Sequence, residues 1–135
     1  MKKAFLTIIL IILSIPSYSQ DEEYPGPVSS TIPQSSRYEI IQSNLIARFT
    51  FKIDKYSGNV YQLVSDTVDV QSWSKMERIK HVSDVIVNKS KVNYQLFTSG
   101  IAVRFTYLMN IDTGATWLLV KDEYGINFWD PIYNN

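Results

Sequence analysis

A serine nucleophile in this chain would need His81, its single imidazole, with Ser65–Asp66 or Ser83–Asp84 as partners. Neither serine stands in a Gly-x-Ser-x-Gly elbow, and the charged stretch around His81 reads as surface. Asp54, Asp112, Asp66 and Asp122 invite a calcium reading, but a hard cation takes six to eight oxygens and each turn here offers one or two carboxylates. Turn capping explains those aspartates better. Asp66 and Asp122 could also be cast as the two carboxylates of a glycoside hydrolase, yet duplication of the chain accounts for their recurrence. No catalytic residue, metal ligand or cofactor is therefore assigned. Without cysteine, thiolate metal sites, disulfides and cysteine nucleophiles are excluded, and one histidine excludes a His cluster.

Two residue sets remain as binding candidates. Arg48 and Arg104 recur beside Thr50 and Thr106. They could grip an acidic ligand or stack on an aromatic, against the plainer reading of a guanidinium covering apolar surface. Trp73, Trp117 and Trp129, in a chain with nine tyrosines, could stack on a sugar, against the plainer reading of core packing. Thirteen basic residues balance thirteen acidic ones over 135 residues, which leaves no basic footprint for nucleic acid. An apolar content of 45% with 19% charged residues suits a single globular domain.

The first nineteen residues read as an address. Lys2 and Lys3 precede an apolar run from Ala4 to Ile15, Pro16 breaks it, and Ser17 and Ser19 have signal-peptidase spacing. The run is shorter than the roughly 20 residues a spanning helix needs. We therefore expect residues 1–19 to be a Sec-type signal peptide and the protein to be exported, periplasmic or secreted, with no membrane insertion after cleavage. Losing Lys2 and Lys3 leaves 11 basic against 13 acidic residues. Residues 20–36, rich in Pro, Ser and acids, are expected to be a disordered leader.

Sliding the chain by 56 residues lays Arg37–Met76 on Asn93–Ile132 without a gap, with ten of forty positions identical. Chance gives about two or three, so residues 37–132 are read as one β domain made of repeats 37–76 and 93–132. Leu45, Ala47, Phe49, Phe51 and Ile53 alternate with polar residues, as do Ile101, Val103, Phe105, Tyr107 and Met109. That period of two predicts a long, half-buried strand with Arg48 or Arg104 at mid-strand. Shorter strands are expected before it and after it, the last ending at Trp73 or Trp129. Asp54-Lys55-Tyr56-Ser57-Gly58 and Asn110-Ile111-Asp112-Thr113-Gly114 supply an Asx side chain and a glycine for a hairpin turn. A four-residue loop, pairing Asp54 with Asn59 and Phe51 with Gln62, is favoured over a three-residue loop because Gly58 then closes it. Between the repeats, Ser74 and Glu77 have capping-box spacing and predict a short helix over Lys75–Val82, although the β-branched run Val85-Ile86-Val87 argues against it. The fold expected is mainly β: two tandem antiparallel meanders packed as a sandwich or an incomplete barrel. Phe49/Phe105 and Trp73/Trp129 should then occupy matching environments.

The repeated Asx-x-x-Ser/Thr-Gly-x-x-aromatic pattern runs from Asp54 to Tyr61 and from Asn110 to Trp117. It resembles a hairpin common in small exported bacterial proteins of uncharacterised function, and is similar to the strand–turn–strand element of quinoprotein-type propeller blades. The resemblance covers the hairpins alone and implies no cofactor, substrate or catalytic residue. Two units cannot close a propeller, which needs about four blades or more.

The repeats also differ. Repeat two has Phe97 for Ile41, Leu108 for Lys52 and Leu118 for Gln62. In the favoured register Leu108 and Leu118 point to opposite faces, and a sheet apolar on both faces wants cover on both. Leu108 and Leu118 are thus expected to be less exposed than Lys52 and Gln62, with repeat one covering one face. The inter-repeat segment, a protein partner or a second copy of the chain would cover the other. The function expected is a non-enzymatic binding or structural module of the cell envelope. The alternatives are an inhibitor or immunity-like protein of a secreted enzyme and, behind it, a small hydrolase.

Overall fold

Strands form where β-branched and aromatic residues alternate with polar ones, and the 56-residue repeat sets their bounds. A computed structural model describes residues 32–86 and 88–133. The expected signal peptide, most of the expected leader and Val87 lie outside them. Repeat one gives β1 (Tyr38–Gln42), β2 (Thr50–Asp54), β3 (Asn59–Ser65) and β4 (Gln71–Lys75). Repeat two gives β5 (Tyr94–Thr98), β6 (Thr106–Asn110), β7 (Thr116–Lys121) and β8 (Asn127–Ile132). Each set is a four-stranded antiparallel meander, in order β1-β2-β3-β4 and β5-β6-β7-β8. The two sheets pack together without closing into a barrel.

The register is that of the four-residue loop: Asp54 pairs with Asn59, Lys52 with Tyr61 and Phe51 with Gln62. Repeat two pairs Leu108 with Trp117 and Tyr107 with Leu118, the same register displaced by 56 residues. The Asx mechanism holds in both turns. Asp54 Oδ1 accepts the Tyr56 N–H at 3.1 Å, and Asn110 Oδ1 accepts the Asp112 N–H at 3.0 Å. Gly58 and Gly114 return the chain at φ 70° and 74°, where a side chain would be strained.

Three expectations are corrected. The long strand is shorter: β2 and β6 begin at Thr50 and Thr106, and Arg48 and Arg104 lie in the turn before them. Local side-chain bonds win over the ladder there. The Thr50 hydroxyl donates to the Ala47 carbonyl at 2.6 Å and the Thr106 hydroxyl to Val103 at 2.7 Å. Second, no helix forms over Lys75–Val82. Lys75 still belongs to β4, and the following backbone bonds to β8: the Trp129 N–H donates to Glu77 O and the Ile79 N–H to Trp129 O. Those ladder-type partners in the other sheet replace the bonds of a helical turn.

Third, equivalent residues do not share environments. Phe49 is buried while Phe105 is exposed, and Trp129 is buried while Trp73 is half-buried. The repeats bury opposite faces of the same unit. Sheet one contributes Phe51, Ile53 and Val60 to the core, and sheet two contributes Leu96, Leu108, Trp117, Leu119 and Trp129. Contact across the layers is direct: the Phe51 and Trp129 rings lie 6.4 Å apart, and Asn127 Nδ2 donates to Gln62 Oε1 at 2.9 Å. A fully buried side chain of this kind is worth about 1.5–3 kcal/mol by area, so this shared layer is the main store of stability.

Candidate binding surface

The inter-repeat segment 76–86 and hairpin one close one end of the core through a polar cluster. Arg78 lies with its guanidinium 4.9 Å from both the Tyr94 and Trp117 ring centres. It donates to the Gly58 carbonyl at 3.3 Å and pairs with Asp84 at 3.4 Å. Asp84 Oδ1 also accepts the Tyr94 hydroxyl at 2.6 Å and Asn110 Nδ2 at 3.0 Å. Burial, seconded by the bond to Asp84, pushes the Tyr94 phenol up to about 12. In repeat one Asp54 stands where repeat two has Asn110. Burial works against its charged form, but bonds from Arg37, the Tyr56 N–H and Ser57 outweigh that and hold its carboxyl below the usual range.

His81 is buried rather than on the surface, a second correction of environment. Its Nδ1 accepts the Ser83 N–H at 3.1 Å, so its Nε2, 3.0 Å from Ile132 O, takes the donor role. The ring packs edge-on to Trp117 and stacks on Tyr133. Both ring nitrogens are therefore committed to backbone, and Asp84 is committed to Tyr94, Asn110 and Arg78. That arrangement builds a clasp, not a proton relay. Asp66 and Asp122 are likewise spent in their own turns, accepting the N–H groups of Val68 and Val70, and of Tyr124 and Ile126. Among the described residues no three His, Asp or Glu side chains gather to hold a metal. A cleft of about 800 Å³ between residues 32–35 and the 90–92 loop contains the Lys55–Glu39 pair at 3.3 Å; Lys55 Nζ also donates to Gln34 O.

The sequence-derived binding candidates separate. Trp117, Trp129 and Leu108 are core residues, 0%, 1% and 0% exposed, so they cannot form the sugar-stacking patch or meet a partner. Trp117 Nε1 is also spent on the Ile79 carbonyl at 2.7 Å. Arg48 and Arg104 are exposed and stack on their own neighbours, 5.4 Å from the Phe49 ring and 4.9 Å from the Phe105 ring. Trp73 lies on the outer face of sheet one, where Lys52 spans it and Tyr61, with Nζ 4.9 Å from each ring centre. Leu118 lies on the outer face of sheet two. Leu108 is more buried than Lys52, as expected, but Leu118 and Gln62 are both half-buried.

The outer face of sheet two is the surface to which the apolar replacements of repeat two pointed. Around Leu118 it carries Phe97, Tyr107, Met109, Val120 and Phe128, with Phe97 58% exposed. Beside it, at the edge of the core, a hollow of about 350 Å³ is lined by Phe49, Val103, Phe105, Leu118 and Leu119 among others. The signal was in the sequence: Phe97 and Leu118 are two of the apolar replacements in repeat two, and Phe128 for Ser72 is a third. Repeat one covers the other face of sheet two together with segment 76–86, so the two expected covers fall on the same side. Set against protein-family models, curated proteins and solved structures, the chain matches none.

Proposed function

We propose that the chain is an exported, non-enzymatic binding or structural module of the cell envelope, and that the outer face of sheet two is its docking surface. The carrying observation is that face: a whole side of a four-stranded sheet, rich in aromatic and aliphatic residues and bare of cover among the described residues. Contiguous apolar surface on this scale marks interaction sites. Export rests on the charged start, apolar run and serine spacing of residues 1–19.

A photo-cross-linking residue at position 118, in protein expressed with its own leader, tests the docking reading. Expected are discrete adducts that a probe at exposed Glu123 does not form. No adduct at 118 would overturn it. Mass spectrometry of the exported protein should find a start near Gln20; exported material beginning at Met1 would refute the address.

A further inference from the structure

We propose that copies of this chain stack head to tail, the outer face of sheet two in one copy seating on the outer face of sheet one in the next. The inference rests on the reading of sheet two's outer face as a docking surface, and adds the occupant. It follows from the way the two repeats already meet. Sheet one packs on sheet two with one face of the repeat against the opposite face of the repeat. That contact is heterologous, so it leaves one unused half at each end of the molecule.

The unused halves correspond in their glycine and aromatic positions, while Lys52 stands where the internal contact buries Leu108. Inside the chain, Tyr94 covers Gly58 so closely that a Cβ there would lie 2.7 Å from the Tyr94 ring. At the outer ends, the equivalent Gly114 has open space around it and the equivalent Tyr38 is 52% exposed. Inside, Phe51 meets Trp129; outside, Tyr107 and Trp73 are the same pair unmet. Cations correspond as well. Arg78 stacks on Trp117 between the sheets, and Lys52 stacks on Tyr61, the residue equivalent to Trp117. The internal contact thus already accommodates a cation on this aromatic position, where the Ser57 and Gly58 carbonyls and the Asp84 carboxylate receive it. In the stack, the Thr113 and Gly114 carbonyls of the neighbouring copy stand in that place for Lys52. A four-stranded face of five-residue strands measures about 19 by 17 Å, so two such faces bury roughly 650 Å² before side-chain relief is counted, the size of a weak, concentration-dependent interface.

Mixing of blocked variants separates this geometry from a two-fold dimer. Leu118→Lys blocks the outer face of sheet two, and Leu63→Lys that of sheet one. Near-UV circular dichroism confirms that each is folded, with Ile40→Lys replacing Leu63→Lys if the latter is not. Sedimentation velocity of the wild type at about 100 µM should show assemblies larger than the monomer. Each variant alone should be monomeric, and an equimolar mixture should give a dimer and nothing larger, because one good face of each kind remains. A monomeric wild type overturns the proposal. So does a dimer of the Leu63→Lys variant alone, which would mean that sheet two pairs with itself. Cross-links from position 118 that reach only a foreign protein also overturn the stack, while leaving the docking reading standing; no cross-link removes both.

Discussion

Tyr94 joins several parts of the molecule. Its ring covers Gly58, carries Arg78 and sits 6.5 Å from Trp117, and its hydroxyl donates to Asp84. A phenol raised to about 12 in the fold and near 10 in the unfolded chain contributes stability that is fully present below pH 10. That contribution is lost as pH rises from 10 through about 12, because the unfolded chain releases the proton first. Tyr94→Phe keeps the ring and removes the hydroxyl. It should cost about 1 kcal/mol near neutral pH and flatten the alkaline decline, read by urea denaturation at a series of pH values. An equally steep decline in the variant would place its source elsewhere. At the same scale, Phe49 is 7% exposed and Phe105 38%. Phe49→Ala should cost about 3–5 kcal/mol and Phe105→Ala under about 1 kcal/mol, measured by thermal unfolding, although both stand in the same Arg-Phe-Thr triplet.

The two hairpins share one turn design, yet only one is pressed against a neighbour. Gly58 and Gly114 both have positive φ, so alanine at either carries a left-handed penalty of roughly 1–2 kcal/mol. At Gly58 the added Cβ also meets the Tyr94 ring and the Arg78 guanidinium, and at Gly114 it meets open space. Gly58→Ala should therefore lose about 3 kcal/mol or more and Gly114→Ala about 1–2 kcal/mol in denaturant titration. Similar losses would mean that hairpin one is not clamped as described. This contrast shows what the sequence could and could not convey. The turn, the register and the strand pairing were legible, because Asx and Gly positions and a period of two are local signals repeated twice. The start of β2 was not, because the Ser43 hydroxyl accepts the Leu45 N–H and the Thr50 hydroxyl donates to the Ala47 carbonyl where the alternation continues unbroken. Segment 76–79 was misread as a helix because the partner that takes its backbone bonds, Trp129, is fifty residues away and in the other sheet. His81 was misplaced for the same reason: its partners Trp117 and Tyr133 lie in repeat two and just past its end.

At the scale of the molecule, the decisive fact is that duplicated units bury opposite faces. A duplication read in sequence implies equivalent residues in equivalent places, but two sheets stacked in the same sense cannot provide them, since each has one inner face and they differ. Divergence between the repeats follows this geometry. Leu108 stands where repeat one has Lys52, and its face is the interior; Lys52 lies over Tyr61 and Trp73 on the outside. Leu118 stands where repeat one has Gln62, on the face that repeat one buries and repeat two presents outward. Two lysine substitutions separate the meanings of these changes. Leu108→Lys restores the residue of repeat one but puts an unpaired ammonium where the side chain is 0% exposed, so it should cost about 3–5 kcal/mol. For a domain of this size that lowers the thermal midpoint by some 4–8 °C per kcal/mol, enough to unfold a protein of ordinary stability. Leu118→Lys puts the same charge on a half-buried outer face where its ammonium can reach water. It should cost less than about 1 kcal/mol of stability while removing any association through sheet two. Calorimetry on both variants reads the contrast, and equal losses would show that the outer face of sheet two is covered within the chain after all.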